Sequence, residues 1–145
     1  MISQRTRYTI RALQHLADHY GQGAIQLTEI ADAQNIPRKF LTVILSEMSR
    51  AGIVSTMRGK SGGYWLALAP VDISYGDIVR LTRGSLALVP CASRFAHEQC
   101  NNCLPEDSCR LHKLMLKVRD ETARILDGIT LADPIDVDES FPPAV

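Results

Sequence analysis

The residues best suited to chemistry are the four cysteines of the chain, which all lie between positions 91 and 109. They follow the spacing C-x8-C-x2-C-x5-C, and a histidine comes three residues after the last cysteine. Four thiolates on one short loop can bind either a tetrahedral zinc ion or an iron–sulfur cluster. The candidate metal ligands are Cys91, Cys100, Cys103 and Cys109, with His112 as an alternative fourth ligand.

The spacing of these cysteines favours a cluster over a single ion. Zinc ribbons usually carry two CxxC pairs about 15–20 residues apart, whereas here one CxxC, Cys100 to Cys103, lies between two single cysteines. A zinc site and a thiol or disulfide redox switch stay open as alternatives. The sequence shows neither a signal-peptide pattern nor an apolar run long enough to span a membrane. We therefore expect a cytoplasmic location, where reducing conditions favour metal binding over structural disulfides.

Charge is distributed unevenly, although the 145 residues carry no formal net charge. Residues 1–65 contain eight Lys or Arg and four Asp or Glu, which gives them a net charge of +4. Residues 66–145 contain eight basic and twelve acidic residues, which gives them −4. This asymmetry fits an N-terminal part that faces DNA and an acidic remainder.

The N-terminal part of the sequence predicts three helices. Apolar residues recur near a period of 3.6 over residues 4–20 and indicate an amphipathic helix. Thr28 is a suitable N-cap for a short helix over residues 29–34. Pro37 suits the first position of the next helix, which we expect to end near Arg50.

A β-hairpin is expected directly after these helices. Two runs of alternating residues, 53–57 and 64–68, flank a basic, glycine-rich loop. A short helix, a tight turn, a second helix and a hairpin, in this order, are typical of a winged helix-turn-helix. The predicted fold class is therefore mainly α with a small β-hairpin: a winged helix-turn-helix, to which the C-terminal half described next adds a long dimerisation helix.

The C-terminal half predicts two further helices. Ser74, with Asp three residues later, forms a capping-box pattern for a helix that reaches about Leu81. A longer helix over about 108–127 carries an apolar stripe too wide for an isolated helix in water, which indicates a dimer interface. Thr130 is placed to start one more turn, and the end of the chain has the composition of a disordered tail. We expect four parts: DNA-binding domain 1–83, cysteine loop 84–109, dimerisation helix and terminal turn 110–133, and tail 134–145.

Polar and basic residues lie where a winged helix-turn-helix contacts DNA. Arg38, Lys39 and Thr42 begin the second helix of the turn pair, where base edges are read. The basic wing can approach phosphates or the minor groove. Simpler interpretations are a solvated helix face, an ordinary surface turn and, for Tyr64, packing under the hairpin. The candidate DNA contacts are Thr28, Pro37, Arg38, Lys39, Thr42, Arg58, Gly59, Lys60, Ser61, Gly62, Gly63 and Tyr64.

Several motifs together resemble a known family. They include the opening R-Y-x-x-R-A-L, the run E-I-A at 29–31, I-P-x-x-F-L at 36–41 and the wing signature R-G-x-x-G-G-Y at 58–64. On these motifs, residues 1–133 resemble the IscR-type winged-helix regulators, whose relatives include NsrR and RirA. The resemblance implies a homodimer that pairs through its long C-terminal helix and binds imperfect palindromes in double-stranded DNA. It also implies a 2Fe–2S or 4Fe–4S cluster on three cysteines.

The resemblance assigns the ligands residue by residue. Cys91 matches the first family cysteine, Cys103 the middle one and Cys109 the last, so that Cys100 is an additional thiol. His112 occupies the place of the fourth ligand in IscR. Some relatives instead use an acidic residue of the partner's first helix, but this chain has no acidic residue before Asp18. Cys100 or His112 is therefore expected to complete the site within one chain.

Taken together, these features predict a non-enzymatic, homodimeric transcriptional regulator. The resemblance implies that it senses iron, redox state or nitric oxide through a cysteine-ligated iron–sulfur cluster. The alternatives are a winged-helix regulator with structural zinc or a thiol switch, and a regulator that responds to a small molecule or partner without a cluster.

Overall fold

The computed structural model describes residues 2–136, which form a mainly helical fold with one antiparallel hairpin, as the sequence predicts. Residues 137–145, most of the predicted disordered tail, lie outside the described part of the chain. Short 3₁₀ turns lie at Pro70–Asp72 and at Pro90–Ala92, and the second of these contains Cys91 of the cysteine segment. The elements are α1 (Gln4–Asp18), α2 (Leu27–Gln34), α3 (Arg38–Arg50), β1 (Val54–Met57), β2 (Gly63–Leu66), α4 (Tyr75–Arg83) and α5 (Arg110–Asp127).

The start of α2 differs from its prediction. Thr28 lies within the helix rather than at its N-cap, which is Gln26 in an extended conformation. The reason is a bridge between Ile25 and Tyr64, in which each backbone N–H donates to the other residue's carbonyl oxygen at 2.9 and 2.8 Å. This pairing holds the chain extended through Ile25, and the helix begins as soon as the pairing ends.

Whereas α2 starts two residues earlier than predicted, two other helices start later. Pro37 is the N-cap of α3 rather than its first residue, and its carbonyl oxygen accepts the N–H groups of Phe40 and Leu41 at 3.0 and 3.1 Å. Cys109 is the N-cap of α5, where its Sγ accepts the His112 N–H at 3.4 Å. In both cases the residue before the helix supplies an acceptor for otherwise unpaired N–H groups.

The main core lies where α1 packs against α2, α3, α4 and β2. Burying each of its large aliphatic side chains stabilises the fold by about 1.5–3 kcal/mol. His15 of α1 is buried beside this core, where desolvation lowers its pKa and the neighbouring His19 lowers it further. The largest fully buried aliphatic side chains are Leu13, Leu16, Ile30, Leu41, Leu45, Ile73, Ile78 and Val79.

Polar contacts fix α4 and connect it to α5. The predicted capping box is present, because Ser74 Oγ accepts the Asp77 N–H at 3.1 Å and Asp77 Oδ2 accepts the Ser74 N–H at 3.2 Å. Arg80 donates two hydrogen bonds to Asp127 at 2.7 and 2.8 Å. After α5, Thr130 forms one hydrogen-bonded turn and pairs with Ser74 in a short β-bridge. The chain thus returns to the start of α4 once α5 has ended.

None of the helices in the described part of the chain has both the length and the apolar character that a membrane crossing requires.

Candidate nucleic-acid interface and metal centre

The amphipathic pattern of α3 places the predicted reading residues on the surface. Arg38, Lys39 and Thr42 are exposed. Arg38 is within 3.7 Å of Asp32, but both side chains are more than half exposed, so this ion pair costs little to break. Thr42 donates its hydroxyl to the Arg38 carbonyl oxygen at 2.9 Å. The buried face of the same helix consists of Leu41, Ile44, Leu45 and Met48.

The turn between α2 and α3 is formed by local backbone geometry. Asn35 adopts the left-handed conformation, with φ 49° and ψ 51°, which asparagine tolerates better than most residues. The Ile36 N–H then donates to the Ala31 carbonyl oxygen at 3.0 Å, and the Ile36 side chain is buried. This tight turn anchors the N-terminal end of α3, where Arg38 and Lys39 lie.

The wing is exposed and closely supported at its base. Arg58, Lys60 and Ser61 are exposed. Gln26 donates its side-chain amide to the Lys60 carbonyl oxygen at 3.1 Å, which ties the wing to the start of α2. Sequence reasoning missed Gln26, because its contact joins residues 34 positions apart.

Glycines in the wing are required by their surroundings. Gly59 has φ +107°, a conformation that L side chains rarely adopt. A Cβ at Gly62 would collide with the Met57 carbonyl oxygen, and a Cβ at Gly63 would collide with that of Ile25. Gly62 and Gly63 therefore let the two strands and the bridge at Ile25 come together.

The remaining predicted DNA-contact residues differ in exposure. Thr28, in the first turn of α2, and Pro37, at the start of α3, are exposed. Tyr64 is half-buried against the core and paired through its backbone to Ile25.

The cysteine segment brings several of its predicted ligands together. Cys91, in the 3₁₀ turn Pro90–Ala92, is buried, and its Sγ lies 4.0 Å from that of Cys100. Cys100 and Cys103 are exposed, and Cys109 is half-buried at the start of α5. All four thiols are free.

His112 points to the same place from the first turn of α5. Its Nδ1 lies 3.4 Å from the Cys91 Sγ, and its Nε2 lies 3.9 Å from a Glu106 carboxylate oxygen. The other Glu106 oxygen lies 2.6 Å from His97 Nε2. Sequence reasoning assigned no role to His97 or Glu106, because nothing in their spacing shows that a loop will join them to His112.

The thiols influence one another's protonation. Burial raises the pKa of Cys91, and its hydrogen bond with Cys100 adds to the increase. The pKa of Cys103 is raised first by its hydrogen bond with Cys100 and then by burial. These thiols are therefore protonated at neutral pH in this arrangement, and a bound metal would have to displace their protons.

The spacing of the donor atoms is compatible with a polynuclear cluster. Tetrahedral zinc–thiolate bonds of ~2.3 Å hold all four sulfurs about 4 Å apart. Among residues 2–136, no three ligand atoms of the cysteine segment lie within 4.8 Å of one another. A polynuclear cluster distributes its ligands over several metal atoms and tolerates this wider spacing. Cys91, Cys100, Cys103, Cys109 and His112 are the residues that could hold it.

An apolar surface along α5 is exposed to solvent in the single chain. No residue of α5 is buried in the single chain, and Leu111, Leu114 and Ile125 are 59%, 53% and 50% exposed. Large apolar side chains arranged along one helix in this way are typical of an interaction surface.

A family model and a similar protein each match most of the chain. The Rrf2 family model, described as "Iron-dependent Transcriptional regulator", matches residues 2–136. The rrf2-like HTH-type transcriptional regulator of Rhodobacter capsulatus is 38% identical over 136 residues, which are 92% of this chain and 91% of that protein.

Two solved structures of similar proteins share the fold. CymR, the global cysteine regulator of B. subtilis, is 30% identical with a TM-score of 0.74, covering 90% of this chain and 92% of that one. IscR of T. potens is 30% identical with a TM-score of 0.71, covering 92% and 84%. The predicted fold class is thereby confirmed. Because one of these two proteins is a cysteine regulator, the fold alone does not decide what the cysteine segment senses.

Proposed function

Because this chain belongs to the Rrf2 family of transcriptional regulators, we propose that it acts in the cytoplasm as a homodimeric DNA-binding regulator with an iron–sulfur sensor. The resemblance to IscR and NsrR suggests iron, redox state or nitric oxide as the signal. One observation carries the cluster proposal. The Cys100 sulfur and the His112 Nδ1 lie 4.0 and 3.4 Å from the Cys91 sulfur, beside the N-terminus of α5. A regulator's role also agrees with the prediction that the chain is not an enzyme.

DNA is contacted by α3 and the wing. Arg38, Lys39 and Thr42 are supported as readers of base edges or flanking phosphates by their exposure at the start of α3. Arg58 and Lys60 are supported as phosphate or minor-groove contacts by their exposure in a wing tied to α2. Thr28, Pro37, Gly59, Ser61, Gly62, Gly63 and Tyr64 complete the proposed contact set.

The dimer forms through α5. Because a homodimer has two-fold symmetry, its DNA site is an imperfect palindrome. Leu114 and the half-buried Val118 belong to its apolar face. Replacing both with Asp should give monomers in analytical ultracentrifugation, because charges would then have to be buried in the interface. Lys117→Asp, a change on the same helix at an exposed polar position, is the control and should leave a dimer. A stable dimer in the double variant would assign the interface to another surface.

Cys91, Cys103 and Cys109 hold the cluster, with Cys100 as the preferred fourth ligand and His112 as the alternative. A bound iron–sulfur cluster supplies a centre that oxidation or nitric oxide can alter. Arg119 donates to the Ala92 carbonyl oxygen at 2.8 Å and so joins the cysteine segment to α5. The Arg80–Asp127 pair joins α5 to α4 at the other end. Movement of the cysteine segment is thereby transmitted to the helices that set the spacing of the two DNA readers.

Anaerobic purification with iron, sulfide and zinc analysis tests the cluster. We expect a brown protein that contains iron and sulfide, and single Ser variants of Cys91, Cys103 and Cys109 that lose both. About one zinc with neither iron nor sulfide would refute the sensor and leave a structural zinc site.

The fourth ligand is decided by two further variants. Cys100→Ser and His112→Ala should be compared for their visible spectra, and the variant that alters the cluster identifies the ligand. His97→Ala is the control for His112→Ala, because His97 contacts the same Glu106 carboxylate.

A thiol switch is the second candidate, favoured by the 4.0 Å separation of the Cys91 and Cys100 sulfurs. It predicts a colourless protein whose operator affinity changes on mild oxidation. Mass spectrometry of the oxidised chain would then find a Cys91–Cys100 disulfide.

A further inference from the structure

A second group of metal-ligating side chains lies between α1 and α2, outside the cysteine segment. His15 and His19 are one helical turn apart at the end of α1, and Glu29 lies in the first turn of α2. A ring nitrogen of each histidine and a carboxylate oxygen of Glu29 all lie within 4.8 Å of one another. No other three His, Cys, Asp or Glu side chains in residues 2–136 meet this spacing. Two histidines and one glutamate are a known three-residue ligand set for zinc.

The buried histidine has an unused nitrogen. His15 is only 8% exposed, and its Nε2 has no hydrogen-bond partner among the described residues. Leaving such a polar group unpaired in the interior destabilises the fold. Its Nδ1 lies 3.3 Å from the side-chain amide of Gln34. When Nε2 binds a metal, Nδ1 carries the proton. The Gln34 amide can then turn so that its oxygen accepts a hydrogen bond from Nδ1–H.

The second histidine is already oriented as metal-binding histidines usually are. His19 Nδ1 lies 2.8 Å from the His15 carbonyl oxygen, to which it can donate. This bond places the proton on Nδ1 and leaves the Nε2 lone pair free. The two imidazole rings are 4.5 Å apart between centroids, close enough to share one ion.

We propose that His15, His19 and Glu29 bind a divalent transition-metal ion of the zinc class and thereby clamp α1 to α2. Three protein ligands leave one position for water in a tetrahedral site. Because α2 packs against α3, the ion would stiffen the support of the reading helix. This site is independent of the proposed cluster, and either can exist without the other.

Cobalt titration of the full chain tests the site. We would use a chain with Cys100→Ser and Cys103→Ser, two exposed positions, to reduce thiolate binding. Cobalt held by nitrogen and oxygen gives visible ligand-field bands without the near-ultraviolet charge-transfer band of a cobalt–thiolate bond. We expect the bands of nitrogen and oxygen ligands. If the ligand-field bands appeared only together with the cobalt–thiolate charge-transfer band, the proposal would be overturned.

The ligands are assigned with a charge-matched control. In this background Glu29→Gln and His19→Ala should each weaken cobalt binding by about 10-fold or more, since changing even a residue that orients a ligand costs 10–100-fold. Asp18→Asn removes a negative charge that also acts on His15, but Asp18 is outside the ligand group. It should change affinity by less than about 3-fold, as expected for an exposed charge. Equal losses in Glu29→Gln and Asp18→Asn would show that only general electrostatics is involved.

Amide hydrogen exchange provides a second readout in the wild-type chain. Zinc should slow exchange in both α1 and α2, and it should do so less in Glu29→Gln. Identical exchange in these helices with and without zinc would contradict the clamp.

Discussion

Removing the positive charge of the wing should reduce the salt dependence of operator binding by a predictable amount. Arg58 and Lys60 are exposed, and neither forms an ion pair with any residue in the range 2–136. Both are therefore free to neutralise phosphates. A dimer presents two wings and thus four such charges, and each lost phosphate contact lowers the slope of log K against log salt by ~0.9.

The double variant Arg58→Ala, Lys60→Ala should accordingly have a slope smaller by ~3.6. Between 50 and 200 mM salt, this difference means that the wild type loses about 150-fold more affinity than the variant does. Fluorescence anisotropy with a fixed operator over this range of salt measures both slopes. This difference in the loss of affinity is larger than the error of such titrations, so the slopes of the wild type and the variant can be distinguished.

A charge-matched control separates wing contacts from the overall field. Arg83→Ala, Lys117→Ala removes the same charge from exposed positions on α4 and α5, outside the proposed contact set. Its slope should stay close to that of the wild type. If the wing variant keeps the wild-type slope, or if both variants lower it equally, the wing does not contact phosphates as proposed.

Three further predictions concern single residues. Arg38→Ala should weaken specific binding by ~1–3 kcal/mol if Arg38 reads a guanine, and an unchanged affinity in competition titrations would remove it as a reader. Gly63→Ala should lower the free energy of unfolding in urea, because its Cβ would collide with the Ile25 carbonyl oxygen and its φ is +148°; equal midpoints would contradict the close approach. The hydrogen bonds from Arg80 lower the pKa of Asp127 below its usual value of about 3.9. Their stabilisation is therefore complete above that value and lost as pH falls through the lowered pKa, so acid titration should destabilise the wild type more than Asp127→Asn.

The sequence by itself determined the features that depend on neighbours along the chain. The buried face of α3 follows from apolar residues at helical spacing, and this spacing leaves Arg38 and Lys39 exposed. The capping box at Ser74 was predictable because its two partners are three residues apart. The cysteine spacing likewise indicated a set of soft ligands on one loop, because closing a short loop costs little entropy.

Only the tertiary structure decided features that join distant residues. The bridge from Ile25 to Tyr64 sets where α2 begins, and it overrides the local capping preference of Thr28. The meeting of His15 and Glu29 likewise depends on how α1 packs against α2. Local propensities are worth a few tenths of a kcal/mol to about 1 kcal/mol per residue, whereas burial of apolar helix faces is worth several times more. Packing therefore determines which distant side chains meet, and residue spacing along the chain cannot reveal those partners.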